Sequence, residues 1–296
     1  MKPAPFEYQA PDTLDAALDI LAEHGDEAKV LAGGQSLIPA MNFRLLQPTM
    51  LVDINAVSTL EYIEADEDGS VRIGGLTRQA AMGKSETVKK HAPLLHEVVP
   101  NIAHPQIRNR GTLGGSLVHA DPASELPVVA LALDAEIKVQ SKDAERVVAA
   151  QDFFLGTFYT DIMPNEIVTE VKLAAMPDNS GYSFMEVARR KGDYAMMGVA
   201  ALLTLDESGT CTHAKLVYLN AGDGTIVAQE SAQMLVGETP SDDIFTAAAE
   251  KASKEEIDPM GNVHTSVDYQ RHLARVLTQR SLNQALQRAQ NGKDAN

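Results

Sequence analysis

The chain has 296 residues, of which 44% are hydrophobic and 22% charged. This composition is typical of a soluble globular protein with one large or two ordinary domains. The 25 basic and 41 acidic residues give a net charge of −16, which argues against unaided binding to nucleic acid or an anionic membrane. No apolar run is long enough for a membrane span, and the N-terminus lacks the apolar core of a signal peptide. We therefore expect a cytoplasmic protein.

The first 58 residues predict a small βαβ subdomain. A helix capped at Asp12-Thr13 and ended by Gly25 opens it. The unit itself has three predicted elements, a strand at 29–31, a helix near 38–45 and a strand at 50–54.

Residues 59–176 predict a larger mixed subdomain, and 177–290 a C-terminal α/β domain, so the fold class is α+β. The larger subdomain begins with a hairpin and continues with helical sequence from 77 to about 99. Its later predicted elements are a helix near 123–133 and strands at 136–140, 146–149 and 167–173.

The C-terminal domain is predicted to contain a three-stranded antiparallel sheet covered by helices. Its predicted strands are 182–188, 199–205 and 214–220, and its predicted helices lie near 226–235, 242–252 and 267–290. The last six residues, 291–296, are expected to form a disordered tail.

Two glycine loops stand out as candidate ligand-binding segments. The first is Ala32-Gly33-Gly34-Gln35-Ser36-Leu37, where adjacent glycines let backbone amides approach a ligand and a following helix start favours an anion. A strand-to-helix turn without a ligand explains this loop equally well when it is considered alone. The second loop, Gly111-Thr112-Leu113-Gly114-Gly115-Ser116, changes the balance. Two such loops suit a diphosphate better than one.

Cys211 is the only cysteine in the chain. It excludes an internal disulfide and an iron–sulfur cluster held by thiolates of this chain alone. A buried structural thiol is a better interpretation of Cys211 than a nucleophile. The histidines show no metal-binding spacing, and no metal site is predicted.

Four elements, one of them part of the second loop, follow the first loop in a fixed order and carry a resemblance. They are Ala120-Asp121-Pro122-Ala123, Glu125-Leu126-Pro127, Gly192-Asp193-Tyr194-Ala195, and the Thr-Leu-Gly-Gly-Ser sequence at 112–116. Together with the loop at 32–37, they make the chain similar to the FAD-binding medium subunit of the molybdenum hydroxylases, the carbon monoxide dehydrogenase and xanthine dehydrogenase group. The resemblance covers residues 6 to 286.

The resemblance implies a vanillyl-alcohol-oxidase-type (PCMH-type) FAD-binding domain of two subdomains, followed by the C-terminal domain. It implies that both loops wrap the FAD diphosphate and ribityl chain. The cofactor-binding positions that it implies are Lys29, Ala32, Gly33, Gly34, Gln35, Ser36, Leu37, Ile102, Thr112, Gly114, Gly115, Ser116, Asp121, Glu125, Ile167 and Tyr194. Gln35 cannot form the covalent bond that histidine or cysteine makes to FAD in some related flavoproteins, so we expect non-covalent FAD.

Four residues in or beside these motifs have alternative interpretations. Asp121 could accept a hydrogen bond from a ribose or adenine donor, or it could cap the helix that follows. Arg108 and Arg110 could face phosphate, a partner subunit or solvent. Tyr194 could shield the flavin ring from the electron acceptor, or it could lie in the core behind a hairpin turn. The lysine that related subunits often carry near Met185 and Glu186 is missing here.

The resemblance implies an oxidoreductase component without a catalytic acid or base of its own. Electrons would come from a large molybdopterin subunit through two [2Fe-2S] clusters of a small subunit to this FAD, and then pass to an external acceptor. A dimer of heterotrimers is the expected assembly. The alternatives are a free-standing FAD-dependent oxidoreductase acting on a small molecule and a non-catalytic module that binds a nucleotide or a partner's anion.

Overall fold

The computed structural model describes residues 2–294, with side-chain surroundings described as far as Asn291. The N-terminal part contains, in chain order, β1 (Glu7–Gln9), α1 (Leu14–His24), β2 (Ala28–Leu31), α2 (Leu37–Asn42) and β3 (Met50–Asp53). The three strands form a parallel sheet in the order β1-β3-β2. This confirms the predicted βαβ unit and adds the short strand β1, which the sequence analysis did not predict.

Local signals determine where α1 begins and ends. The Thr13 hydroxyl accepts a hydrogen bond from the amide of Ala16 at 3.2 Å, and Gly25 takes a positive φ of 51° at the other end. The buried residues Ala17, Leu18 and Leu21 lie in one apolar core with Met50 and Val52 of β3. A cap, an apolar stripe and a stop therefore act together, as the sequence predicted.

The larger subdomain is built on a five-stranded antiparallel sheet in the order β4-β5-β10-β6-β7, with a separate pair β8-β9. The strands are β4 (Ile63–Ala65), β5 (Val71–Gly74), β6 (Glu136–Gln140), β7 (Glu145–Ala149), β8 (Phe154–Gly156), β9 (Tyr159–Thr160) and β10 (Ile167–Leu173). The predicted hairpin is confirmed by the pairing of β4 with β5. The pair β8-β9 was not predicted.

Short helices cover this sheet. They are α3 (Gln79–Met82), α4 (Glu86–His91), α5 (Pro93–Val98), α6 (Pro105–Arg108), α7 (Leu113–His119), α8 (Glu125–Ala132) and α9 (Ala150–Phe153). The helical sequence predicted for 77–99 is therefore divided into three pieces. Gly83 ends the first, the Ser85 hydroxyl caps the second through the amide of Val88, and Pro93 starts the third.

The C-terminal part is an antiparallel sheet with helices on one face. It consists of β11 (Ser180–Ala188), β12 (Ala195–Leu205), β13 (Cys211–Leu219), β14 (Ile226–Val227), α10 (Gln229–Gln233), α11 (Asp242–Lys251), a π-helical turn (Ala252–Glu256) and α12 (Val267–Asp294). Helix α12 crosses β11 so closely that a Cβ at Gly181 would overlap the carbonyl oxygen of Ala285. Glycine at 181 therefore allows the helix and the sheet to make backbone contact.

Two predictions for this part are wrong in detail. The sheet has four strands rather than three, because Ile226 pairs with Tyr218 in the register of β14 before α10 begins. The helix predicted near 226–235 is correspondingly shorter. A third prediction, the disordered tail at 291–296, is wrong for residues 291–294, which belong to α12, while residues 295–296 lie outside the described part of the chain. Within the described part, no helix is long and apolar enough to cross a membrane.

Candidate functional site

The two glycine loops pack directly against each other. A Cβ on Gly33 would lie 2.5 Å from the carbonyl oxygen of Arg110 and 2.8 Å from the Cα of Gly111. Both distances are too short for a real Cβ, so only glycine at position 33 permits this contact. The structure therefore brings together two segments that lie almost eighty residues apart in the sequence.

A hydrogen-bonded link between Arg78 and Asn55 holds the loops in this arrangement. The guanidinium of Arg78 donates to the carbonyl of Arg110 at 2.6 Å and to the side-chain oxygen of Asn55 at 2.5 Å. The amide nitrogen of Asn55 donates in turn to the carbonyl of Ala32 at 2.8 Å. The sequence analysis missed both residues. The available signal was a polar residue just beyond the carboxyl end of β3, where loop side chains collect in parallel sheets.

The first loop keeps its backbone donors free. Within the described part of the chain, the amide N–H groups of residues 33–36 have no protein acceptor. The Gln35 side chain donates to the carbonyl of Gly33 at 3.0 Å, so it stabilises the turn. The residues of this loop are half-buried or exposed. Four successive free donors on an accessible turn are the arrangement that an anionic group requires.

The second loop differs from the first, because the amides of residues 111 and 113–116 already have protein acceptors. The amides of residues 113–116 all donate to protein acceptors, and that of Gly114 reaches the carbonyl of Gly75 at 2.9 Å. The hydroxyl of Ser116 pairs with that of Ser124 at 3.0 Å. Gly115 is exposed. This loop therefore forms a close-packed wall with a small residue and a hydroxyl on its accessible side, rather than a second nest of donors.

The other predicted positions of this region differ in exposure. Lys29 is exposed on β2, and Leu37 opens α2 and is half-buried. Ala32 lies behind Gly115, where a Cβ would come within 3.8 Å of the alanine methyl group. Ile102 and Ile167 are 7% and 3% exposed and belong to separate apolar cores. The two isoleucines thus pack in the supporting structure of the two subdomains.

A cavity of about 480 Å³ lies beside Asp121 and Tyr194, between the two halves of the chain. The carboxylate of Asp121 accepts the amide of Ala123 at 2.9 Å in the turn before α8, so the prediction that Asp121 could cap this helix is wrong. The cap of α8 itself is Ser124. Tyr194 is 75% exposed, so the prediction that it could lie in the core is wrong. Partial desolvation of the Tyr194 hydroxyl, and then the charges of Asp121 and Glu125, raise the pKa of this phenol.

The two arginines just before the second glycine loop, Arg108 and Arg110, have different surroundings. Arg108 donates to the carbonyls of Ile102 and Ala103 at 2.6 and 2.9 Å, while the Arg110 side chain is exposed. Arg108 therefore has a structural contact, whereas Arg110 remains available to a ligand or partner.

Two carboxyl groups, one from each half of the chain, have strongly raised pKa values, and the charge of one acts on the other. Glu125, at the start of α8, is 7% exposed, and burial raises its pKa to about 7. Glu186, on β11, has one carboxyl oxygen that is buried without a hydrogen-bond partner within the described residues. Burial first, and then the charge of Glu125, raise the pKa of Glu186 to about 8. A buried oxygen without a partner calls for a partner outside the protein, such as water or a bound ligand, or for protonation of the carboxyl group.

The two subdomains, the joined glycine loops and the C-terminal sheet define a flavoprotein of the PCMH-type FAD-binding class. Residues 4–175 match the family described as the FAD binding domain in molybdopterin dehydrogenase, and residues 182–285 match the CO dehydrogenase flavoprotein C-terminal domain. The chain belongs to the FAD-binding medium subunits of the molybdenum hydroxylases. It is an oxidoreductase component, and the resemblance found in the sequence is confirmed.

Relatives of similar length support this membership. The chain is 44% identical to the alpha subunit of the 6-hydroxypseudooxynicotine dehydrogenase complex of Paenarthrobacter nicotinovorans, covering 100% of this chain and 99% of that one. It is 33% identical to the carbon monoxide dehydrogenase medium chain of Hydrogenophaga pseudoflava, covering 96% and 98%.

Solved structures show the same fold. Carbon monoxide dehydrogenase from Hydrogenophaga pseudoflava superimposes with a TM-score of 0.93 at 33% identity, covering 97% of this chain and 99% of that one. Quinoline 2-oxidoreductase from Pseudomonas putida 86 gives 0.91 at 36% identity, covering 98% and 99%.

Proposed function

We propose that this chain is the FAD-carrying electron-transfer subunit of a multi-subunit molybdenum hydroxylase. It would receive electrons from [2Fe-2S] clusters of a small subunit and pass them to an external acceptor, while a large molybdopterin subunit converts the substrate. The observation that carries the proposal is the contact of Gly33 with the Arg110–Gly111 backbone. This contact places four free amide donors beside a close-packed second loop, in a chain of the FAD-binding family.

The residues of the cleft fit FAD in distinct ways. The amides of residues 33–36 would replace the hydration of the diphosphate, and the Ser116 hydroxyl and Gly115 would line the opposite side. Glu125 and Glu186 would offer neutral carboxyl groups to polar atoms of the cofactor. Bound FAD supplies the redox chemistry, so the chain itself provides binding, orientation and control of solvent access. Gln35 leaves the cofactor non-covalent.

The assembly with partner subunits is supported by two features. The relatives are named as subunits or medium chains, which indicates that they work in complexes. The turn after α2 exposes three large apolar side chains, and clustered exposed apolar residues are typical of protein contacts. They are Phe43, Leu45 and Leu46, which are 63%, 78% and 45% exposed. A large molybdopterin subunit and a small [2Fe-2S] subunit, arranged as a dimer of heterotrimers, are the proposed partners.

The test compares the wild-type protein with Gly33→Val for bound FAD, measured from the flavin absorbance bands and by titration of the apoprotein. The valine side chain would overlap the Arg110 carbonyl and separate the two loops. Loss of two amide bonds to the diphosphate, at about 1.5 kcal/mol each, corresponds to a roughly 100-fold weaker FAD affinity. Gly209→Ala is the control. Gly209 has a φ of 88° and no contact within 4 Å of an added Cβ, so alanine there adds backbone strain far from the cleft.

Two further measurements separate this proposal from its alternatives. Acid precipitation should release all of the FAD, and a yellow pellet would contradict non-covalent binding. Co-purification of the tagged chain from its host should recover a molybdopterin subunit and an iron–sulfur subunit. If the isolated chain reduced its FAD with a small substrate alone, the free-standing oxidoreductase would replace the proposal. If the folded chain bound no FAD at saturating concentration, a non-catalytic module would replace it.

A further inference from the structure

A β-bulge lies directly after Tyr194. Along β11 and β12, Val187 pairs with Met197 but the next residue, Ala188, pairs with Ala195. Met196 is therefore an extra residue on β12 without an opposite partner on β11. Bulges break the regular ladder and turn the adjoining side chains in a new direction. Here the bulge sets the direction in which the chain leaves the sheet at Tyr194.

Two amide side chains bind the carbonyl groups at this bulge. Asn220, at the end of β13, donates to the carbonyls of Ala195 and Met196 at 2.7 and 3.2 Å. Gln270, in the first turn of α12, donates to the carbonyls of Met196 and Asn220 at 3.0 and 3.2 Å. Its side-chain oxygen accepts the amide of Gly261 at 2.9 Å. Gln270 is 1% exposed, so these three bonds are shielded from water.

The hydrogen bonds of Asn220 also reach the opposite wall of the cavity. The backbone amide of Asn220 donates to the carbonyl of Pro122 at 2.7 Å, directly after Asp121. Asn220 holds a positive φ of 53°, a conformation that asparagine tolerates better than most residues. Asp121, Tyr194 and Asn220 all line the cavity of about 480 Å³. The hydrogen bonds of Asn220 and Gln270 therefore connect both walls of the cavity to α12.

We propose that Gln270 is a positioning residue that fixes Tyr194 at the mouth of the cleft through the carbonyl of Met196. The inference rests on the proposed function, since it assigns to Tyr194 the control of access to the bound FAD. A phenol ring that is 75% exposed has few contacts of its own to hold it. Its position depends on the backbone that follows, and Gln270 is the buried group that links this backbone to the C-terminal helix.

The experiment uses the native complex with Gln270→Leu, which removes the donors and the acceptor at nearly constant volume. Gln284→Leu is the matched control on the same helix, because Gln284 also bonds a buried partner, the hydroxyl of Ser183 at 2.6 Å, on β11. Three quantities are measured: FAD content, the rate of reoxidation of the reduced cofactor by a chosen acceptor, and hydrogen–deuterium exchange of residues 188–198. Each variant is also made with Tyr194→Ala.

We expect Gln270→Leu to keep its FAD, to exchange faster at 188–198, and to change the reoxidation rate by roughly tenfold, since small displacements of a positioned group have effects of that order. With alanine at 194, the same substitution should no longer change the rate, although exchange stays fast. Gln284→Leu should leave both the rate and the exchange at 188–198 unchanged.

A rate effect that persists with alanine at 194, or an unchanged rate in Gln270→Leu, would overturn the inference. If Gln270→Leu does not fold, Gln270→Glu replaces it. Glutamate keeps the acceptor for the amide of Gly261 but places a carboxylate against the carbonyls of Met196 and Asn220. Protonation of this carboxylate at low pH restores one donor. The flavin reoxidation rate of Gln270→Glu should therefore approach the wild-type rate as the pH falls. Wild-type FAD content is measured first, because a protein without FAD refutes the proposed function rather than the role of Gln270.

Discussion

Replacing Glu186 by glutamine tests whether the cleft holds a protonated carboxyl group. The pKa of this carboxyl is raised from its ordinary value of 4.5 to about 8 by burial and then by the charge of Glu125. Between those two pH values the folded protein keeps a proton that the unfolded chain releases. The free energy of unfolding therefore decreases as the pH rises through this window and levels off above pH 8. Glutamine has no such proton and removes this dependence.

The size of the effect follows from the width of the window. Each pKa unit corresponds to about 1.4 kcal/mol, so the two units between pH 6 and pH 8 allow a change of at most about 3 kcal/mol. Glu186 is only half-buried, and water screens part of its interaction with Glu125. We therefore expect Glu186→Gln to gain between about 1 and 2 kcal/mol relative to the wild type on going from pH 6 to pH 9.

The measurement is urea unfolding of the apoproteins at pH 6 and pH 9, followed by circular dichroism. Titrating groups other than Glu125 affect both proteins alike, so the difference between the two unfolding free energies reports Glu186 together with its coupling to Glu125. Glu207→Gln, on the exposed turn between β12 and β13, controls for the loss of one negative charge from a chain of net charge −16. If the difference between Glu186→Gln and wild type is the same at both pH values, Glu186 is ionised in the folded protein at pH 6 and the reasoning is wrong.

Two further predictions concern the loops and the cleft mouth. Arg78→Ala removes two charge-assisted hydrogen bonds that hold the loops, so we expect the unfolding free energy to fall by about 2 kcal/mol and FAD to bind more weakly in a titration. Arg190→Ala, at an exposed site, is the control. Equal FAD affinities in both variants would contradict the role of Arg78. Tyr194→Ala should change the rate of flavin reoxidation in stopped-flow experiments while FAD content stays at the wild-type level, because the phenol lines the cavity but is 75% exposed. Loss of FAD without a rate change would show instead that Tyr194 serves cofactor retention.

The elements that the sequence predicted well are those specified by neighbouring residues. Helix α1 has its cap, apolar stripe and glycine stop within thirteen residues. The hairpin β4-β5 has a turn of acidic residues and Gly69 between two apolar segments, and Gly69 takes a φ of 82°. The approach of the two glycine loops was also predicted, because two such loops suit one diphosphate better than a single loop does and the resemblance implies that both wrap it; the contact of Gly33 with the Arg110–Gly111 backbone shows this approach.

The elements that were missed depend on distant partners. Strand β1 has only three residues, mostly exposed, and exists because the parallel edge of β3 is available to it. Strand β14 depends in the same way on β13. The bonds of Arg78 and Gln270 join residues whose neighbours in sequence give no sign of the contact, and only the place of Asn55 beyond the end of β3 was a signal. Sequence patterns report periodicity and caps, whereas such side-chain bonds depend on the completed fold.

The segment 103–111 contacts both the first glycine loop and the loop before Tyr194. These two contacts explain why its sequence combines proline, arginine and glycine. At one end, a Cβ on Gly192 would lie 2.7 Å from the carbonyl of Ala103, so the loop before Tyr194 rests on this segment. At the other end, Gly33 rests on the Arg110–Gly111 backbone in the same way. Between them the single turn of α6, held by Arg108, sets a fixed distance. The two glycine contacts thus set the separation between the first glycine loop and the loop before Tyr194, while Gln270 holds the backbone that follows Tyr194.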